Sequence, residues 1–161
     1  MAKYHDVAYD QIPMIPIPSP NRRIRLAVMS YGLILFLWFT PEDNQVWPVT
    51  LLGWGMSILV VFLTLVNKLG GRQISARYSA PLALVLGILI GLGSSIATAG
   101  LMFFKNALHA HLFFDYPTPM LLAVLERAPY WGLAGGLAGL GAALAWLALR
   151  QVHYESSYDD H

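Results

Sequence analysis

Four hydrophobic segments separated by shorter polar ones dominate the pattern of this chain. They cover residues 24–40, 47–66, 80–104 and 129–149. A helix crosses the hydrocarbon core of a bilayer, which is about 30 Å thick, with roughly 20 apolar residues. The first segment is the shortest and needs the long side chain of Arg25 to reach the membrane surface. The pattern predicts an all-α, polytopic integral membrane protein with four transmembrane helices.

The connections between the segments arrange them as two antiparallel hairpins. The link at 41–46 is acidic and only long enough to reverse the chain, so the first two helices lie side by side. A longer connection at 105–128 joins the last two. Pro48, Pro81 and Pro129 open the last three segments, in a position where the missing backbone N–H of proline costs nothing. These prolines support the predicted helix starts.

Lysine and arginine are distributed unevenly between the two ends of the predicted helices. With a cytoplasmic N-terminus, eight of the ten Lys and Arg residues lie inside, and only Lys105 and Arg127 lie outside. Basic residues concentrate on the cytoplasmic side of membrane proteins. We therefore expect both termini in the cytoplasm. A bacterial plasma membrane is the default location, although an organelle's inner membrane would give much the same pattern.

The composition agrees with a membrane protein and excludes several kinds of site. Of the 161 residues, 57% are apolar and 12% are charged, whereas soluble domains carry about 25% charged residues. The net charge of +1 comes without a long basic stretch, which argues against nucleic-acid binding. The chain has no cysteine, so disulfides, Cys-type zinc sites and thiol nucleophiles are excluded.

Two segments flank the predicted membrane domain at 24–150. The arm at 1–23 contains IPMIPIPSP, in which proline alternates with Ile and Met. This pattern favours extended backbone, with apolar side chains along the cytoplasmic face or on a partner. The tail at 151–161 is acidic, and we expect it to be flexible.

Small residues recur at four-residue spacing in the last two segments. Four residues make about one helical turn, so each pair flattens one helix face and lets a neighbouring backbone approach closely. The spacing therefore predicts close helix packing, without indicating whether the neighbour belongs to the same chain. The pairs are Gly87 with Gly91, Gly132 with Gly136, and Gly135 with Gly139.

Hydroxyl side chains lie near the middle of the third segment, at Ser94, Ser95 and Thr98. They would either line a polar path or bond back to carbonyl groups one turn earlier, the commoner outcome. Apart from Arg25 at the very start of the first segment, no Asp, Glu, Lys, Arg or His lies inside the four apolar segments. Ion-coupled carriers usually keep an ionisable group at membrane depth. The sequence therefore does not favour an ion-coupled carrier.

The connection after the third segment begins with polar residues in apolar surroundings. If the helix continues to about Phe114, Lys105 and His109 share one face, and His111 and Asp115 share another. At about 100° per residue, the two histidines then point apart and cannot chelate one metal. Extended backbone would bring them together, but Ala- and Leu-rich sequence favours the helix. The sequence predicts no metal site and no cofactor.

Three interpretations of these polar residues remain open. In the first, they are interface residues at the level of the lipid headgroups. In the second, they bind a headgroup, a quinone-like molecule or another subunit. In the third, a His–Asp pair is catalytic. The last lacks a neighbouring serine or cysteine nucleophile. Beyond Pro117 the sequence predicts a short interfacial helix from Pro119 to Glu126, with Thr118 as its N-cap.

Several functions fit this architecture, and the sequence favours one of them. We expect a small accessory or assembly subunit of a larger membrane complex, with the glycine faces and the proline-rich arm contacting other subunits or a second copy of the chain. A small oligomeric permease or channel lined by the hydroxyls is the alternative. A membrane-surface enzyme or ligand-binding protein using the segment at 105–115 is the weaker alternative.

Overall fold

The structure is a computed structural model that describes residues 14–41, 45–108 and 115–159. Over these ranges the chain is nearly all helical, with two short strands that pair with each other. The strands are β1 (Met14–Pro16) and β2 (Gln73–Ser75), and a single 3-10 turn at Ala76–Tyr78 leads from β2 into the third helix. The helices are α1 (Arg22–Phe39), α2 (Val46–Leu69), α3 (Ser79–Leu108), α4 (Thr118–Glu126) and α5 (Ala128–Asp159).

Three helical stretches of the described chain are long and apolar enough to cross a membrane. They are Val46–Leu69, Ala76–Leu108 and Thr118–Arg150, which contain the second, third and fourth predicted segments. The first predicted segment forms α1, which has 18 residues, and three of its first four residues are arginine. The apolar part of α1 is therefore shorter than a usual membrane crossing.

The helix boundaries differ from the prediction at two points, and a third predicted boundary is not covered by the described residues. The helix α4 begins at Thr118, one residue before the predicted start, because the Pro117 carbonyl already accepts the first hydrogen bond, from the Met120 N–H at 2.9 Å. The helix α3 is described to Leu108, and its predicted continuation to Phe114 lies outside the described residues. The helix α5 continues to Asp159, through residues predicted to form a flexible tail.

The helix α3 is the centre of the bundle and packs against α5 along the predicted glycine faces. A Cβ added at Gly87 would collide with the Gly135 carbonyl group, and one added at Gly135 would collide with the Gly87 carbonyl. The same holds for Gly91 against Trp131 and for Gly139 against Ala83. Gly132 and Gly136 instead receive side chains of α3. The predicted glycine pairs are thus used between two helices of the same chain.

The helix α2 packs on another side of α3, again through small residues. A Cβ at Gly53 would collide with Thr98, and one at Gly93 would collide with the Ser57 hydroxyl group. That hydroxyl donates a hydrogen bond to the Ile90 carbonyl at 2.8 Å. These contacts join α2 to the middle of α3.

The sheet joins the proline-rich arm to the connection between α2 and α3. The strands are antiparallel, with Met14 opposite Ser75 and Pro16 opposite Gln73. Gly71 has a φ of 77°, which a side chain would disfavour, and its N–H donates to the Ile17 carbonyl at 3.0 Å. The described part of the arm, which begins at Met14, therefore contacts its own chain, and we call this end of the bundle the sheet end.

The opposite end is built around Tyr116, which is fully buried, and we call it the tyrosine end. Tyr116 forms a core cluster with Val49 of α2 and with Leu101 and Met102 of α3. Side chains of α1 and α4 pack against this cluster, so all the helices meet there except α5. The partly buried members are Leu35, Trp38, Phe39, Leu52, Met120, Leu121 and Val124.

Candidate functional site

Lys105, one of the predicted ligand-binding residues, is fully buried at the tyrosine end. Its ammonium group lies 4.6 Å from the centroid of the Trp38 ring and 5.9 Å from that of the Tyr116 ring. A cation over an aromatic face is stabilised by the ring quadrupole, and more strongly away from water. Lys105 thus packs against two aromatic rings of its own chain.

The residue after Lys105 fixes the chain at Tyr116 by two hydrogen bonds. The Asn106 amide donates to the Tyr116 carbonyl at 2.7 Å, and the Tyr116 N–H donates to the Asn106 side-chain oxygen at 2.9 Å. The Tyr116 hydroxyl donates to the Gln45 carbonyl at 3.1 Å. These bonds tie the segment before α4 to α3 and to the start of α2.

The other predicted members of this group are only partly placed. Asp115 is half-buried beside Tyr116, while His109 and His111 lie outside the described residues. The described residues contain no group of three or more His, Asp or Glu side chains suited to a metal ion. Lys105, with its aromatic neighbours, lies in a packed joint between α1 and α3.

An open cavity of about 260 Å³ lies nearby between α2, α3, α4 and α5, and we call it the tryptophan cleft. Three of the five tryptophans of the chain line it. The lining residues are Val46, Trp47, Thr50, Leu51 and Trp54 of α2, Ser94, Ser95 and Thr98 of α3, Val124 of α4, Arg127, and Trp131 of α5.

The hydroxyl residues predicted as a possible polar path form one wall of this cleft. Ser94, Ser95 and Thr98 are all buried. The Ser94 hydroxyl donates to the Gly91 carbonyl at 2.7 Å, which is the back-bonding that serine commonly shows in helices. On the facing helix, the Thr50 hydroxyl donates to the Val46 carbonyl at 2.8 Å. The proton of each of these two hydroxyls is thus engaged within its own helix, and the oxygen can still accept a hydrogen bond.

Four other side chains of the cleft, Arg127 and the three tryptophans, can only donate hydrogen bonds. Arg127 is the only charged residue among those that line it, and its guanidinium group stays protonated at any physiological pH. The indole N–H groups of tryptophan are donors without acceptor capacity. Trp47 is 77% exposed and Trp131 is 46% exposed, so the rings stand at an open mouth. The cleft therefore suits a molecule that has an apolar body and acceptor oxygens.

The sequence pattern predicted one wall of the cleft, the hydroxyl residues of α3, and not the others. Arg127 entered the sequence interpretation only in the count of basic residues on each side of the membrane. A signal was present on α2, because positions 47, 50, 51 and 54 recur at helical spacing and share one face. What the sequence could not supply was the position of α5, which brings Trp131 to the same cleft.

A second cavity, of about 560 Å³, lies between α2 and α3 toward the sheet end. The two cavities share no lining residue. The contacts of Gly53 with Thr98 and of Gly93 with Ser57 lie between them. The hydroxyls of α3 thus face a cavity that belongs to the tyrosine end of the bundle.

Comparison with protein-family models, with curated proteins and with solved structures finds no match. Function has to be inferred from the geometry of the chain itself.

Proposed function

We propose that this chain is an integral membrane protein that binds an amphiphilic ligand in the tryptophan cleft. The observation that carries the proposal is the lining of the cleft, in which one guanidinium group and three indole rings border an otherwise apolar and hydroxyl-bearing cavity. Binding sites for small molecules are mostly apolar with a few placed polar groups, which is the make-up of this cleft.

The ligand class follows from the chemistry of the lining. Arg127 favours a carboxylate or a phosphate, because a charge-assisted hydrogen bond contributes about 1.5–3 kcal/mol. The tryptophan rings favour an apolar chain or a flat ring beside it. The cleft volume of about 260 Å³ lies just below the usual range for small-molecule pockets, about 300–1,000 Å³. It therefore suits a headgroup and the first part of a chain, with the rest in the bilayer.

The proposed membrane arrangement has four crossing helices and both termini in the cytoplasm. Support comes from the three apolar helices and from α1, whose apolar part packs beside them with Arg22, Arg23 and Arg25 at the sheet end. With the sheet end in the cytoplasm, Arg127 lies at the outer membrane surface and α4 lies along it. The cleft then opens toward the outer leaflet.

The first experiment identifies what the cleft holds. The tagged chain is purified from its native membrane in mild detergent, and bound small molecules are extracted and identified by mass spectrometry. We expect an acidic amphiphile that is lost from Thr50→Phe, which fills the cleft, and kept by Ile58→Phe. Ile58 is an exposed residue of the same helix that lines neither cavity.

A role as a subunit of a larger complex is a second proposal, and α1 is the feature that favours it. None of its residues is buried, and Met29 and Phe36 are 70% and 67% exposed. The other two surfaces considered for partner contacts, the glycine faces and the arm, contact parts of their own chain. The particle mass of the same purified sample tests this role, since a subunit would carry stoichiometric partner chains.

A further inference from the structure

A long apolar groove runs between α2 and α3 from the middle of the bundle to the sheet end. It has a volume of about 560 Å³ and is lined almost entirely by aliphatic side chains and glycine. It begins at Ser57 and Gly93, where the two helices touch, and its only charged lining residue is Lys68. We call it the Lys68 groove.

The surroundings of Lys68 are basic and contain no carboxylate nearby in sequence. Arg72 and Arg77 follow in the same connection, and both are exposed. Between residues 67 and 79 the sequence has no Asp or Glu, and the same is true between residues 14 and 25. Neither of these two segments therefore supplies a carboxylate that would balance the charges of Lys68, Arg72 and Arg77.

The sheet brings a second basic cluster to the same end. The Ile17 N–H donates to the Arg72 carbonyl at 3.0 Å, which fixes the arm against the connection just before α1 begins. The exposed residues Arg22, Arg23 and Arg25 follow at the start of α1. The two short basic segments, which are separate in sequence, thus lie at the same end of the folded chain.

We propose that the Lys68 groove binds one anionic phospholipid, with an acyl chain between α2 and α3 and the phosphate at Lys68. Charge complementarity selects the lipid class, since clusters of Lys and Arg at the membrane surface attract anionic lipid headgroups. The apolar walls hold a single chain, because the one polar lining side chain between Ser57 and Lys68 is Thr64, whose hydroxyl donates to the Val60 carbonyl of its own helix at 2.8 Å. This site is separate from the tryptophan cleft and does not depend on it.

The test compares lipids that share acyl chains and differ in charge. The delipidated protein in neutral detergent is titrated with dioleoyl phosphatidylglycerol or dioleoyl phosphatidylcholine, and bound lipid is counted by native mass spectrometry. We expect one phosphatidylglycerol molecule, bound about tenfold or more tightly than phosphatidylcholine. Glycerol phosphate, which has the headgroup charge but no chains, should not displace it.

Substitutions separate the two parts of the site. Lys68→Gln should weaken phosphatidylglycerol binding about tenfold, whereas Arg150→Gln, which removes a charge from the predicted cytoplasmic end of α5, should not. Thr64→Trp on α2 and Ala97→Trp on α3 obstruct the groove from opposite walls, and either should abolish binding. Thr50→Trp is the matched control in the tryptophan cleft.

Three results would overturn the proposal. They are equal binding of the two phospholipids, full displacement by glycerol phosphate, and unchanged binding in groove-filled variants that elute as folded protein. If one of the two tryptophan variants fails to fold, the other, placed on the facing helix, still decides the question.

Discussion

Gly87 of α3 and Gly135 of α5 lie backbone against backbone, and a Cβ on either one would collide with the carbonyl group of the other. The contact is reciprocal, and Gly91 and Gly139 extend it along the two helices. In a membrane, where apolar burial gives little drive to helix association, close packing of this kind is a main source of stability. The seam between α3 and α5 should therefore be sensitive to single methyl groups.

Gly87→Leu should destabilise the protein by about 1–3 kcal/mol, because the helices must separate to make room for the side chain. The matched control is Gly100→Leu on the same helix, where a Cβ meets nothing within 4 Å. Its stability should be unchanged or slightly higher. Reversible unfolding in mixed micelles, followed by circular dichroism, measures both variants. Equal losses of stability in the two variants would contradict close packing of α3 against α5 at Gly87.

Tyr116 should contribute to stability mainly through its ring. Tyr116→Phe removes the hydrogen bond to the Gln45 carbonyl and should cost about 0.5–1.5 kcal/mol. Tyr116→Ala also empties a fully buried position and should cost about 3–5 kcal/mol. The same unfolding measurement gives both values. A phenylalanine variant as unstable as the alanine variant would show that the hydroxyl group dominates.

Lys105 and Trp38 should be energetically coupled. The separation of 4.6 Å between the ammonium group and the ring centroid predicts a coupling of about 0.5–2 kcal/mol. A double-mutant cycle with Lys105→Met and Trp38→Leu measures it, and Lys105→Met paired with Trp146→Leu is the control, since Trp146 stacks on Arg150 instead. A coupling energy of zero in the Lys105–Trp38 cycle would contradict a stabilising contact between α1 and α3 at this position.

The proline-rich arm should pair with its own chain. Met14 lies opposite Ser75 in the sheet, and the chain has no native cysteine, so Met14→Cys with Ser75→Cys should form a disulfide within one chain on mild oxidation. Met14→Cys with Gln73→Cys, which is out of register by two residues, should form it poorly. Electrophoresis without reductant separates the products. A disulfide-linked dimer as the main product would place the arm on a second copy.

The sequence predicted the membrane helices well because a long apolar run has few alternatives to a helix. Backbone groups must be bonded within the segment when no water is present, so length and hydropathy nearly determine α2, α3 and most of α5. The first segment was harder to assign. Arg22, Arg23 and Arg25 lie within α1 itself, where they shorten its apolar part, and the apolar pattern alone does not show where the helix begins.

The cleft could be predicted only in part, because its walls come from distant positions. Ser94, Ser95 and Thr98 are visible as a hydroxyl group within one apolar helix. Arg127 and Trp131 join them only because α3 and α5 approach closely at the glycine seam. Spacing along one helix shows which residues share a face, but not which helix covers that face. For the same reason, the spacing of the glycine pairs did not show which helix they contact.

The central claim is that the tryptophan cleft holds an acidic amphiphile, and a fluorescence titration tests it most directly. Bromine quenches tryptophan at short range, so a brominated fatty acid should quench the purified protein saturably through Trp47, Trp54 and Trp131. The brominated fatty alcohol with the same chain is the neutral control. Thr50→Phe fills the cleft, whereas Ile58→Phe changes an exposed position that lines neither cavity, and neither variant adds an indole ring.

We expect the fatty acid to bind about 10- to 100-fold more tightly than the alcohol, and Arg127→Gln to remove that difference, since a charge-assisted hydrogen bond is lost in both cases. Thr50→Phe should abolish the saturable phase, and Ile58→Phe and Arg150→Gln should keep it. Equal quenching by acid and alcohol, or a saturable phase that persists in Thr50→Phe, would contradict the account.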